Sequence, residues 1–144
     1  MPQTSRANEP TVFAVSPAPP QSALRRGSGR LARWTNRVAG VAAIGQFYTA
    51  GLAVFGAASF SSHAGTGYLV FLASLLTMAL LFVAREPFRI TRIAIFISLL
   101  AFLQPILAFA PRARYPWLSA FHPLSGLAIV ALLALLEWRR RPTE

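Results

Sequence analysis

The chain contains two histidines in matching surroundings, Ser62-His63-Ala64-Gly65-Thr66-Gly67 and Phe121-His122-Pro123-Leu124-Ser125-Gly126. Each is followed four residues on by a glycine, Gly67 or Gly126, and preceded 17 or 18 residues upstream by a glutamine, Gln46 or Gln104, inside an apolar run. This is a duplicated unit. Hydrocarbon cannot solvate a polar or ionisable side chain, so such residues inside a membrane are read first as functional. Two imidazoles offered from opposite sides suit a metalloporphyrin, whose iron takes one on each face. His63 and His122 are therefore the candidate metal ligands, and haem b is the implied cofactor. Gly67 and Gly126, one turn along, are expected to leave room for the flat ring beside the backbone. Gln46 and Gln104 are expected to hydrogen-bond between helices, or to hold the second imidazole nitrogen or a quinone oxygen.

Most other chemistry is closed to this chain. It has no cysteine, which excludes a disulfide, a thiolate metal site, a cysteine nucleophile and covalent haem attachment. The four acids are Glu9, Glu86, Glu137 and Glu144, none placed mid-membrane to pair for acid–base work. Two histidines alone supply too few ligands for a zinc site, and neither a phosphate-cradling glycine loop nor a His-Glu zinc spacing is present. Hydrolysis and phosphoryl transfer are set aside, and no catalytic residue is assigned.

The elements that must position the histidines are helices in lipid. Residues are 55% hydrophobic and 12% charged, whereas roughly a quarter are charged in soluble domains. Four apolar runs, about 38–60, 63–84, 90–110 and 117–138, each reach the roughly 20 residues that cross a bilayer core. The predicted fold is an all-α membrane protein, four transmembrane helices in an up-down-up-down bundle with an internal two-helix repeat. Residues 1–28, with Pro10, Pro17, Pro19 and Pro20, read as an unfolded cytoplasmic tail. Residues 29–37 read as a basic juxtamembrane segment, part of an arginine-rich helical approach along the anionic membrane surface. The transmembrane domain covers 38–141, leaving 142–144 as a short tail.

Within the runs, small and polar residues keep helical phase: Ala42, Gln46, Thr49, Ala53 and Gly56 in the first, His63, Gly67, Ser74 and Thr77 in the second, Ser119, His122, Ser125 and Gly126 in the fourth. Each stripe should face protein, where small residues let backbones approach. Ser74 and Thr77 are expected to bond to their own helix, and Pro105 to kink the third helix beside Gln104.

All 14 basic residues are arginine, and the formal charge is +10. That balance does not indicate nucleic acid here, because the arginines flank apolar runs instead of forming a face of their own. Twelve cluster before the first run, around the link between the second and third, or after the fourth. The positive-inside rule then puts both termini in the cytoplasm of a bacterial inner membrane and both histidines towards the outer side. Arg112 and Arg114 are the exceptions, in the outer loop, where they contact either lipid headgroups or the propionates of a haem.

Gln46 with Ala50-Gly51, followed by His63 and Gly67, and Gln104 followed by His122-Pro123 and Gly126, resemble a family of small four-helix bacterial membrane proteins of unknown function. More distantly, the pattern is similar to one half of haem A synthase, whose four-helix halves carry a glutamine and then a histidine in each helix pair. That resemblance implies a haem-facing role for His63 and His122. The arginine that commonly follows such a histidine is replaced by Ala64 and Pro123, and Phe109 stands at the counterpart of Gly51. What the resemblance implies is thus haem binding with electron transfer, without synthase activity.

Two functions are expected to compete. One is a b-type haem protein with bis-histidine ligation, serving electron transfer or haem handling. The other is a non-catalytic membrane subunit or scaffold in the lipid bilayer, packing through its glycine and alanine seam against a membrane protein partner or a second copy of itself. A small-molecule carrier is a third reading, with little coupling chemistry to support it.

Overall fold

In a computed structural model, residues 22–109 and 115–141 are described, and they form four helices: α1 Ala23–Val54, α2 Phe60–Val83, α3 Phe88–Phe109 and α4 Pro116–Arg139. The tail expected over 1–28 falls mostly on residues 1–21, outside the described ones.

Local sequence sets the helix ends. Ser22 caps α1 by accepting from the Arg25 amide at 3.4 Å. The arginine-rich stretch behind it contains no proline and many helix formers, so α1 continues unbroken into the apolar run. It stops at Val54, where Gly56 takes φ 73° and the amides of Ala57 and Ala58 turn back onto the Leu52 carbonyl. The run expected to reach residue 60 is thereby divided, and Phe60 opens α2 instead. Arg85, at φ 53°, and Pro87 end α2 and begin α3 within a few residues.

Three helices, α2, α3 and the stretch Trp117–Arg139 of α4, are long and apolar enough to cross a membrane. In α1 the stretch between Arg37 and Val54 falls short of the roughly 20 residues usually required.

Each helix packs on two others: α1 on α2 and α4, and α3 on α2 and α4. This leaves α1 opposite α3 and α2 opposite α4. Contacts run in opposite order along adjacent helices, since Thr35 meets Thr77 while Gln46 meets His63. Small side chains line the inner face of α1, where Ser28, Ala32, Asn36, Ala39, Ala42 and Ala43 are all buried, and they pack with larger ones of the other helices, among them Leu81, Ile97 and Leu136. Large apolar side chains point outward, among them Val41, Ile44, Leu72, Phe96, Leu99 and Phe102. Close backbone contact inside and an apolar exterior suit lipid and would be unfavourable in water.

The basic segment, 29–37, lies in the first half of α1, which packs into the bundle through Ser28 and Ala32. It is tied to α4: Arg37 donates to Glu137 Oε1 through Nε at 2.9 Å and Nη2 at 2.7 Å, and buried Asn36 donates to the Leu133 carbonyl at 3.3 Å.

Polar side chains deeper in the bundle are mostly satisfied locally. Thr77 donates to its own helix at Ala73 O, 2.8 Å away, and shares a 2.7 Å hydroxyl contact with Thr35 of α1. Ser98 donates to Ala94 O at 2.9 Å. Ser74, expected to do likewise, instead has a buried hydroxyl with no partner. Thr77→Val should therefore lower stability by about 0.6–2 kcal/mol, the range for an interhelical hydrogen bond in a bilayer protein. Ser74→Ala should leave it unchanged or raised, and unfolding titrations in detergent compare the two. Equal losses would contradict this division of roles.

Candidate functional site

His63 lies in the first turn of α2 and His122 in the second turn of α4, so both sit near the same end of the bundle, away from the arginine-rich one. Both are half-buried. Although α2 and α4 are opposite one another, the two imidazoles meet across the axis, with ring centroids 5.9 Å apart and planes inclined by 68°.

Each histidine is locked to the neighbouring helix by a reciprocal pair of hydrogen bonds. His63 Nδ1 lies 3.0 Å from the Gln46 carbonyl, and Gln46 Nε2 donates back to the His63 carbonyl at 3.1 Å. In the second unit His122 Nδ1 lies 3.1 Å from the Gln104 carbonyl, and Gln104 Nε2 donates to the His122 carbonyl at 3.3 Å. A carbonyl only accepts, so Nδ1 carries the hydrogen and the neutral ring keeps its lone pair on Nε2. The imidazole nitrogen is thus held by glutamine backbone, and the glutamine side chain does a separate task.

A hydroxyl completes each unit. Thr66 Oγ1 donates to the His63 carbonyl at 2.9 Å and Ser125 Oγ to the His122 carbonyl at 3.0 Å. Thr66 also approaches Thr49 of α1 at 3.4 Å, whereas Ser125 accepts from Gln104 Nε2 at 2.9 Å. Thr66 was not among the residues singled out from sequence. Its signal is a hydroxyl three residues after each histidine.

Gly67 and Gly126 stand beside the two glutamine side chains. At Gly67 a Cβ would overlap the Gln46 amide nitrogen, so the absent side chain is what lets Gln46 reach His63 O. At Gly126 a Cβ would stand 3.6 Å from the Phe47 ring and 3.7 Å from Gln104 Nε2, both ordinary contacts. The Gln46 amide thus lies beside Gly67, and the space beside Gly126 faces Phe47 and Gln104. Arg112 and Arg114 lie outside the described residues.

The donor set itself fits a porphyrin better than a bare ion. Among the described residues no group of three or more His, Cys, Asp or Glu is arranged to hold a metal, so two imidazoles would be the whole protein contribution. A macrocycle supplies the remaining ligands.

Gly67→Ala should displace the Gln46 amide from His63 O and cost about 0.6–2 kcal/mol. Gly65→Ala, two residues earlier and with nothing within 4 Å of its Cβ position, should be neutral or slightly stabilising. Denaturant titration of the two variants in detergent measures the difference.

The model of a family of unknown function (DUF6220) matches residues 46–113. The match takes in Gln46, His63 and Gly67 and reaches Gln104, but ends before His122. No curated protein and no solved structure matches the chain, and no likeness to haem A synthase emerges from these comparisons. Over 46–113 the chain is therefore similar to an uncharacterised family, DUF6220.

Proposed function

We propose that the chain is an up-down-up-down four-helix protein of the bacterial inner membrane, with α1 as the fourth span and both ends cytoplasmic, in which His63 and His122 would hold one b-type haem. Its role on this reading is electron transfer or haem handling. The carrying observation is the duplicated anchoring of Nδ1 by the carbonyls of Gln46 and Gln104, which orients two imidazoles 5.9 Å apart across the bundle axis. Metal-ligating histidines characteristically donate their other ring N–H to a carbonyl or carboxylate, which fixes the tautomer and raises the basicity of the ligating nitrogen.

When bound, the haem supplies one-electron chemistry at iron. The chain's own residues hold and orient. Gln46 and Gln104 tie each histidine-bearing helix to its neighbour, and Thr66 and Ser125 saturate the histidine carbonyls. Arg112 and Arg114 are assigned to the propionates, as guanidinium pairs bidentately with carboxylate. Support for the orientation comes from the concentration of arginine at the opposite end of the helices. Support for haem handling comes from the glutamine-then-histidine order in each helix pair, which resembles half of haem A synthase.

The competing reading is a non-catalytic membrane subunit or scaffold, in which the two His–Gln units serve only to lock helices. The observation favouring it is the Gln46 side chain lying in the space beside Gly67.

A spectrum separates the two. Protein purified from cells with ample haem should show a Soret band and a sharp reduced α-band, and His63→Ala and His122→Ala should each abolish that low-spin signature while helical circular dichroism persists. Gln46→Leu should keep the signature, because the Nδ1 acceptor is backbone, and lose stability instead. Colourless wild-type protein under these conditions sinks the haem reading, and tolerance of both alanine variants then supports the scaffold.

A further inference from the structure

At the end of the bundle opposite the histidines, the first half of α1, the α2–α3 turn and the end of α4 surround an open cleft of about 630 Å³. Its lining includes nine arginines and a single acid, Glu86. Converging like charges repel, and they repel more where protein limits the access of water. Glu86 does little to offset this, because its Oε1 already accepts from Arg140 Nη2 at 3.0 Å.

Two guanidinium groups in this lining are left incomplete. Arg140 has a side chain only 6% exposed. Its Nη2 serves both Glu86 and the Gly29 carbonyl, the latter at 2.9 Å, while its Nη1 is buried with no hydrogen-bond partner. Arg25 Nε, contributed by α1, is likewise buried and unpartnered. A buried donor without an acceptor is costly, and more so on a charged group. Guanidinium forks match the oxygens of phosphate, and the cleft volume falls within the usual range for small-ligand sites.

We propose that this cleft binds a phosphate-bearing anion, whose oxygens accept from Arg140 Nη1 and Arg25 Nε while Arg30, Arg33 and Arg89 neutralise it from the surrounding wall. Beside a bilayer two sources supply that chemistry, the headgroup of an anionic phospholipid and a soluble phosphate compound. Neither histidine lines the cleft. The site is thus independent of the haem reading, and a failure of one leaves the other standing.

The test uses the full chain in a neutral detergent. It is titrated with sodium pyrophosphate and, separately, with phosphatidylglycerol or cardiolipin in mixed micelles, with sodium chloride at matched ionic strength and phosphatidylcholine as controls. Thermal midpoint and tryptophan fluorescence are read. A saturable rise in the midpoint with a phosphate-bearing probe, absent from both controls, is the expected result. The double variant Arg30→Gln/Arg33→Gln should weaken the response by about tenfold or more, as loss of charge-assisted contacts implies. Arg140→Lys keeps a cation for Glu86 but removes the second nitrogen, and should weaken it similarly with the fold intact. Response to lipid alone assigns the site to a headgroup; response to pyrophosphate, alone or in competition with lipid, assigns it to soluble phosphate as well. No saturable response to either probe, a response matched by sodium chloride, or one unchanged in both variants overturns the proposal.

Discussion

A backbone carbonyl that accepts from an imidazole on the next helix, while the same residue's side-chain amide donates back to the histidine carbonyl, is the interaction on which this bundle turns. It occurs twice, between α1 and α2 at Gln46 and His63 and between α3 and α4 at Gln104 and His122. In an apolar surround every one of those groups needs a protein partner, and exchanging two bonds at one crossing satisfies four of them together. The geometry then propagates. Gln46 can reach across only because residue 67 has no side chain, and once both crossings are made the two rings are left facing each other over the axis.

The two ends of the bundle solve the same problem with different chemistry. At the histidine end the described groups are histidine, glutamine, threonine and serine, bonded between adjacent helices. At the other end they are charged: Glu137 receives Arg37, and Glu86 receives Arg140, linking α4 to α1 and to the α2–α3 turn. With far fewer acids than arginines, this end cannot neutralise itself. Between the ends, alanine, serine and threonine pack inside with a few large side chains, Leu81, Ile97, Leu133 and Leu136, while phenylalanine and the other leucines face outward.

Much of this was legible in the order of residues. The paired spacing of glutamine, histidine and glycine marked the two units, and the phase of Ala42, Gln46, Thr77 and Gly126 marked inward faces that the structure buries wholly or in part. What escaped was atomic. Gly67 and Gly126 look equivalent in sequence, yet one is crossed by a glutamine and the other faces a phenylalanine ring. Ser74 and Thr77 look alike too, but only Thr77 is partnered, by the Ala73 carbonyl of its own helix and by the Thr35 hydroxyl of α1. Asn36 and Arg140 gave no sign of their roles, since their partners stand about a hundred positions away in the chain.

Sequence alone determined that the chain is helical and apolar and that its polar units come in two copies, because hydropathy and periodicity are properties of neighbours along the chain. Tertiary structure decided which nitrogen of each histidine is engaged, which glycine must stay a glycine, and that the basic segment is built into α1. Those outcomes depend on how far one helix slides along another. That offset is set by the summed fit of many small side chains across the interface, which no single stretch of sequence contains.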